Sequence, residues 1–233
     1  MALTIETPEI GDIICRISEA GSALSLDLAD PVKQQLAQYA LALQKWNKTY
    51  NLTALRTIDE ILVQHVFDSL SIIPAIRAFF TERPGLTAGG VIDVGSGAGL
   101  PGVVIAVTTP EIQVSCVDAV QKKVAFIKHA AGLMGCRNLT AVHSRIETLQ
   151  PMGAGLVVSR AFASLSDFTA LSQSHVLSGG AMLAMKSRRS DEDIAEFSAS
   201  NSGWEVDHVD WINVPNMSAK RCLVWLERKK PHE

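Results

Sequence analysis

The stretch VIDVGSGAGLPGVVIA, residues 91–106, constrains the fold more than any other part of the chain. An apolar run ends in an aspartate, glycines follow at 95, 97, 99 and 102, and a second apolar run begins. A chain that turns sharply from strand to helix while its backbone approaches a ligand needs residues without Cβ. Such residues tolerate positive φ and close contact. Pro101 suits the first turn of the helix that follows, where an N–H would have no intrahelical partner. The stretch therefore predicts a strand, a ligand-cradling loop and a helix.

The rest of the chain supplies the partners such a unit needs. From Gly89 onward short apolar segments alternate with helical ones. Strands are expected at Val91–Val94, Gln113–Asp118, Leu139–His143, Leu156–Ser159, Ala181–Lys186, Glu205–Val214 and Arg221–Glu227. Helices are expected at about 100–108, 120–134, 166–177 and 190–200, with Pro110 and Gly135 punctuating two of their ends. This alternation predicts a mainly parallel sheet buried on both faces. No long helical run separates the last two strands, so they should form an antiparallel edge hairpin through NVPNMSAK.

Residues 7 to about 80 read as helical. Thr7-Pro8 and Asp30-Pro31 each look like an N-cap followed by proline, and TIDE at 57–60 has capping-box spacing. Ile10, Ile13, Ile14 and Ile17 share one helical face; Val32, Leu36, Tyr39, Leu43 and Trp46 share another. Asn47 and Asn51 are expected to cap and turn the chain between helices. The expected organisation is a helical N-terminal extension over residues 1–80 packed on an α/β core over 81–233, as a single structural unit.

Composition narrows the class. With 47% hydrophobic and 19% charged residues, the 233-residue chain reads as soluble and globular. No apolar run approaches the roughly 20 residues that span a bilayer, and MALTIETPEIGDII has no signal-peptide character. A cytoplasmic protein without membrane partners is expected. Cys15, Cys116, Cys136 and Cys222 form no C-x-x-C pair and are expected to be reduced thiols, with no metal bound. The net charge is −3, but residues 1–30 carry −5, which leaves +2 for the remainder. Basic clusters stand at Lys122, Lys123 and Lys128, at Lys186, Arg188 and Arg189, at Lys220 and Arg221, and at Arg228, Lys229 and Lys230. Such patches can bind a polyanion locally; each also fits a solvated helix or strand end.

Two cofactors compete for the glycine loop. Gly97, Gly99 and Gly102 match G-x-G-x-x-G, the dinucleotide fingerprint. Asp93-Val94-Gly95-Ser96-Gly97-Ala98-Gly99 resembles motif I of class I S-adenosylmethionine-dependent methyltransferases instead. The carboxylate of Asp93 favours the second: it repels a pyrophosphate but suits a ligand with an ammonium group. Asp118 follows 25 residues later and can accept from both ribose hydroxyls, which either cofactor carries. Ile146 and Glu147, after the third strand, stand where an adenine ring lies in this fold; the pair also fits a plain helix start.

The target side opens at the end of the fourth strand, VVSRAFASL. It is not the [DN]-P-P-[YF] motif of amino-group methylation. No cysteine lies in the motif loops to serve as the nucleophile of pyrimidine C5 methylation. Guanine N7 needs neither, because its lone pair is free at neutral pH. Alignment then does most of the work, with Arg160 available for guanine O6 or a flanking phosphate. A structural salt bridge is the bland alternative for Arg160.

WNKTYNLTA (46–54), HVFDSL (65–70), DVGSGAGLPG (93–102), SRIE (144–147) and SRAFASL (159–165) occur in this order. With them the chain resembles the RsmG family, also called glucose-inhibited division protein B, from about residue 30 onward. The resemblance implies a Rossmann-like class I methyltransferase fold with a seven-stranded sheet. It implies methylation of N7 of a guanosine in 16S rRNA of the small ribosomal subunit, at the family's position 527. It also implies contacts to S-adenosylmethionine from Gly95, Leu100, Ile146, Glu147 and Arg160. The residue reading adds Asp93, Gly97, Gly99 and Asp118. His65, Asp68, Lys122 and Lys186 are candidates for the RNA-facing side. His65 and Asp68, three apart on a helix, also fit a buried hydrogen-bonded pair. A monomer is expected. The alternatives are a methyltransferase acting on another RNA site, a protein or a small molecule, a nicotinamide oxidoreductase, and a non-catalytic RNA-binding module.

Overall fold

The computed structural model describes residues 8–160, 162, 164–186, 191–200, 202–219 and 221–229. The chain opens with α1 (Pro8–Ala23) and α2 (Asp30–Tyr50). Ile13 and Ile17 of α1 and Leu36, Tyr39 and Leu43 of α2 are fully buried, at the spacing one helix face requires. Asn51 ends α2 in the left-handed conformation and bonds back to Asn47 O. Asn47 is buried; its amide donates to Leu55 O, and its Oδ1 accepts from Thr53 N–H. The two asparagines therefore cap and turn the chain as expected. Asp30 does not cap α2: Ala29 holds that position, and Asp30 is the first helical residue, paired with Lys33 at 2.6 Å. The Thr7 cap expected for α1, and the bases Arg188, Arg189, Lys220 and Lys230, lie outside the described residues.

A nearly continuous helical stretch follows. It comprises α3 (Ile58–Ile61), a π-helical turn at Leu62–Phe67, α4 (Asp68–Leu70) and α5 (Ile73–Glu82). The capping box starts it: Thr57 Oγ1 accepts from Glu60 N–H, and Glu60 Oε2 accepts from Thr57 N–H. By length and composition alone Ile58–Glu82 is long and apolar enough to cross a membrane, although charged residues interrupt it. Its apolar side chains are core residues instead: Ile61, Leu62, Val66, Phe67, Leu70 and Ile76 are all fully buried.

The α/β part runs β1 (Val91–Val94), α6 (Gly102–Thr108), β2 (Val114–Asp118), α7 (Gln121–Met134), β3 (Leu139–His143), β4 (Ala154–Ser159), α8 (Leu165–Ser172), β5 (Val176–Lys186), α9 (Asp191–Ala199), β6 (Trp204–Ile212) and β7 (Arg221–Arg228). Among the described residues the strands form one seven-stranded sheet in the order β3-β2-β1-β4-β5-β7-β6. The first five are parallel, and β7 runs antiparallel to both its neighbours. The edge hairpin is therefore as expected. Strand alternation divides the core. Val91, Val114, Cys116, Leu156, Val158, Leu183 and Leu223 face α6, α7 and the N-terminal helices. Ile92, Val94, Val117, Val157, Met182 and Val224 face α8 and α9.

The largest differences from expectation fall between α8 and β5. α8 stops at Ser172, and a short 3-10 turn delivers the chain into β5 at Val176 rather than Ala181. The early part of β5 carries Gly179 and Gly180, which break the apolar alternation that marks a strand. The strand order reverses direction between β1 and β4, and in open α/β sheets ligands bind at the carboxyl ends of the strands at such a point.

Candidate active site

The glycine loop leaves β1 at this switch point. Gly97 takes φ 59°, and the space where its side chain would stand is open. Gly102 is the opposite case. A Cβ there would collide with Cys116 Sγ and stand 2.9 Å from Asp93 Oδ2. That glycine is required because α6 packs its backbone directly on the sheet.

Asp93 is the third residue of β1 and is wholly buried, rather than standing at an exposed strand end. Its Oδ2 accepts from Gly102 N–H at 2.8 Å, and its Oδ1 is buried without a partner among the described residues. Burial pushes the carboxyl up to about 7, against the opposing pull of the Gly102 N–H and the Arg160 charge. Asp118 ends β2 on the same sheet face. Its Oδ2 accepts from Gly97 N–H at 2.8 Å, its Oδ1 from Val120 N–H at 2.8 Å, and Lys123 Nζ lies 3.8 Å away. Leu100 is buried, with its N–H on Ser96 O. Tyr39 reaches from α2 to donate to Ala98 O at 2.8 Å, so the N-terminal helices brace the loop. Burial raises the Tyr39 phenol far above its ordinary range.

Ile146 and Glu147 lie in a 3-10 turn after β3. Ile146 is buried in the core under α8, with its carbonyl 3.0 Å from His175 Nε2; Glu147 pairs with Arg145 at 3.8 Å. These residues fit S-adenosylmethionine. The open side of Gly97 adjoins Asp118, whose oxygens each keep a lone pair for a ribose hydroxyl. Asp93 Oδ1 is an unsatisfied acceptor beneath the loop. Cys116 does not add a nucleophile: burial, and then the neighbouring Asp93, push its thiol well above the ordinary range.

The target side is assembled from distant elements. Arg160 is the first residue past β4, and its neighbour strand β1 pairs Asp93 with Val158. Arg160 Nη1 donates to Asp68 Oδ2 at 3.2 Å and to Gln64 O at 3.3 Å, and Nη2 lies 3.4 Å from His65 Nδ1. Asp68 is completely buried and accepts a second cation, Arg221 Nε, on Oδ1 at 2.5 Å. His65 Nε2 lies 2.9 Å from Thr53 Oγ1. Burial, then the Arg160 charge, push His65 down to about 4, so it is neutral at physiological pH.

The structure thus brings Arg160, His65 and Asp68 together. His65 and Asp68 do not bond one another as a pair; both turn to Arg160, which comes from across the sheet edge. Asp68 faces two arginines rather than open surface. Lys186, at the end of β5, donates to Phe162 O at 3.2 Å and pairs with Asp193 at 3.1 Å. Lys122 lies apart, on α7, donating to Tyr50 O at 2.7 Å. Arg221, Thr53 and Tyr39 are the members that sequence reasoning missed. Arg221 showed there only as half of a basic pair, Thr53 only inside WNKTYNLTA and Tyr39 only as part of an apolar stripe.

Comparison with known proteins fits this geometry. The family model for rRNA small subunit methyltransferase G matches residues 32–224. The chain is 43% identical over 216 residues to the ribosomal RNA small subunit methyltransferase G of Bordetella avium (strain 197N), covering 92% of this chain and 93% of that one. It is 46% identical over 218 residues to the protein of the same name from Acidovorax sp. (strain JS42), covering 90% and 93%. Two solved structures share the fold. A mutant form of the 16S rRNA (adenine(1408)-N(1))-methyltransferase from Catenulisporales acidiphilia has a TM-score of 0.50 at 18% identity, over 66% of this chain and 92% of that one. A SAM-dependent methyltransferase from Aquifex aeolicus has a TM-score of 0.50 at 13% identity, over 72% and 92%.

Proposed function

Because the chain belongs to the rRNA small subunit methyltransferase G family, we propose that it transfers a methyl group from S-adenosylmethionine to N7 of a guanosine in 16S rRNA, in the cytoplasm. The observation that carries this reading is the position of Arg160, one residue past β4, beside the strand whose end opens into the glycine loop. A cationic target-handling group and a cofactor cradle therefore share one switch point.

Bound S-adenosylmethionine supplies a methyl group already activated by a positive sulfur. The chain holds and aligns. Asp118 would accept from the ribose hydroxyls, the turn at Ile146 and Glu147 would flank the adenine, and Asp93, buried beneath the loop, would act on the ligand through its hold on Gly102 N–H. Arg160 takes guanine O6 or a phosphate beside the target, leaving N7 free. The N7 lone pair would take the methyl as its carbon–sulfur bond breaks and the thioether leaves, with no proton to remove, so no general base is required. The candidate groups agree: His65 is neutral and already engaged, and Cys116 is a buried thiol. Catalysis by alignment and local field is what such a reaction needs.

The test is mass spectrometry of small-subunit rRNA, taken from cells lacking this modification and treated with the protein and labelled S-adenosylmethionine. Label in 7-methylguanosine at the family's position is expected. Label on ribose, on an amino group or in protein would overturn the reading.

A further inference from the structure

Asp68 sits where three elements meet, and its two oxygens go to different arginines. Arg221, the first residue of β7, takes Oδ1 at 2.5 Å; Arg160, past the end of β4, takes Oδ2 at 3.2 Å. Two guanidinium groups share one carboxylate, so this cluster carries one positive charge more than it neutralises. Lys186 adds to neither side of that balance, because it pairs with Asp193. His65 adds no charge at neutral pH. Both arginines are largely covered, with side chains 25% and 19% exposed. A surplus cation in such a place favours an anion from outside.

The two bonds are unequal. Arg221 holds the short one. Among the described residues, the three contacts of Arg160, at 3.2, 3.3 and 3.4 Å, lie at the long end of hydrogen-bond range. Arg160 is aimed without being neutralised.

We propose that Asp68 and Arg221 are positioning residues for Arg160. Asp68 sets the direction of the guanidinium, and Arg221 takes up Asp68's negative charge, leaving Arg160 positive for an RNA phosphate beside the target base. This rests on the rRNA methyltransferase reading. Neither residue touches substrate, and both act through Arg160.

The two roles separate in kinetics. Arg221→Gln leaves Asp68 with Arg160 as its one cationic partner among the described residues, which pulls Arg160 inward and neutralises it. KM for small subunits should rise about tenfold with kcat nearly unchanged. The slope of RNA affinity against salt should fall by about one phosphate contact. Asp68→Asn removes the aim, so kcat should fall about tenfold. In an Arg160→Gln background neither change should cost anything further, because residues that act as a unit are not additive. Asp68→Asn leaves two covered cations without their shared counter-charge and is the variant at risk in folding. Arg221→Gln keeps a balanced pair and carries the test alone if needed. Losses that multiply in the double variants would overturn the proposal, as would Arg221→Gln with wild-type KM and salt slope. Wild-type protein runs in the same assay. If it methylates N7 while the cycle is additive, positioning fails and the function stands; if it methylates nothing, both fail.

Discussion

Two carboxylate-centred clusters stand on one edge of the sheet, and they are held by opposite means. Asp93 and Asp118 take backbone donors: the N–H groups of Gly102, Gly97 and Val120, each at 2.8 Å. Asp68 takes side-chain donors, the guanidinium groups of Arg160 and Arg221. A backbone donor moves only if the loop moves, so the first cluster is fixed once the loop folds. The second exists only when the helical extension docks on the sheet and β7 pairs with β5. The difference suits the two ligands. A cofactor is one small molecule of constant shape, and a rigid frame can be cut to it. An RNA target arrives as part of a large body, and the long side chain of Arg160, with its slack contacts, can adjust to it.

The sharpest way to break this contrast is to disturb the backbone frame. Gly102→Ala places a Cβ against Cys116 and Asp93, both fully buried. Overpacking of that kind costs about 1–3 kcal/mol, and relief requires the loop to shift. Urea unfolding should show a loss of that size, and calorimetry should show cofactor binding abolished. Wild-type stability would mean that the loop is not fixed by its own backbone.

A smaller effect should follow from Asp118→Ala. Charge-assisted hydrogen bonds contribute about 1.5–3 kcal/mol each. Loss of this acceptor should therefore weaken cofactor binding roughly 10- to 100-fold. RNA affinity at fixed salt should not change, because the bonds of Asp118 run to Gly97, Val120 and Lys123 rather than to Arg160, Asp68 or Arg221. An equal fall in both affinities would show that the clusters are not separable.

The same contrast explains which parts were legible in the sequence. The bonds of the cofactor cluster span 2, 9 and 21 residues, and glycines and aspartates at fixed offsets announce them. The strands and the edge hairpin were legible for a similar reason, since alternation and turn residues are local. The bonds of the Asp68 cluster span 92 and 153 residues. Nothing near Arg221 in the chain marks it as the partner of an aspartate on a helix far upstream. Tyr39 reads as one more apolar residue in a stripe until its hydroxyl is seen on Ala98 O. Asp93 was found, but its burial was not. A motif records that a carboxylate is present, and only packing decides that it is buried and half satisfied.

The effect that is smallest in the wild-type protein, because its two parts oppose one another, and that separates the clusters most finely, is on stability against pH. Asp93 rises from 3.8 to about 7 on folding, and His65 falls from 6.5 to about 4. Between about 4 and 7 the folded protein holds a proton on Asp93 that the unfolded chain has released. That contribution is complete below about 4 and lost as pH rises through about 7. For His65 the unfolded chain binds the extra proton, so its contribution is complete above about 6.5 and lost as pH falls toward about 4. The slopes oppose one another in the wild-type protein. Asp93→Asn should remove the fall near 7 and uncover a rise in stability from about pH 4 to 6.5. His65→Gln should do the reverse and uncover a steady fall from about pH 4 to 7. Arg160 lowers both groups, so Arg160→Gln should raise the folded-state end of each window, widening that of Asp93 and narrowing that of His65. Denaturant melts across that range check each case. If Arg160→Gln shifts only one window, then the charge that joins the two clusters is not the one the geometry places between them.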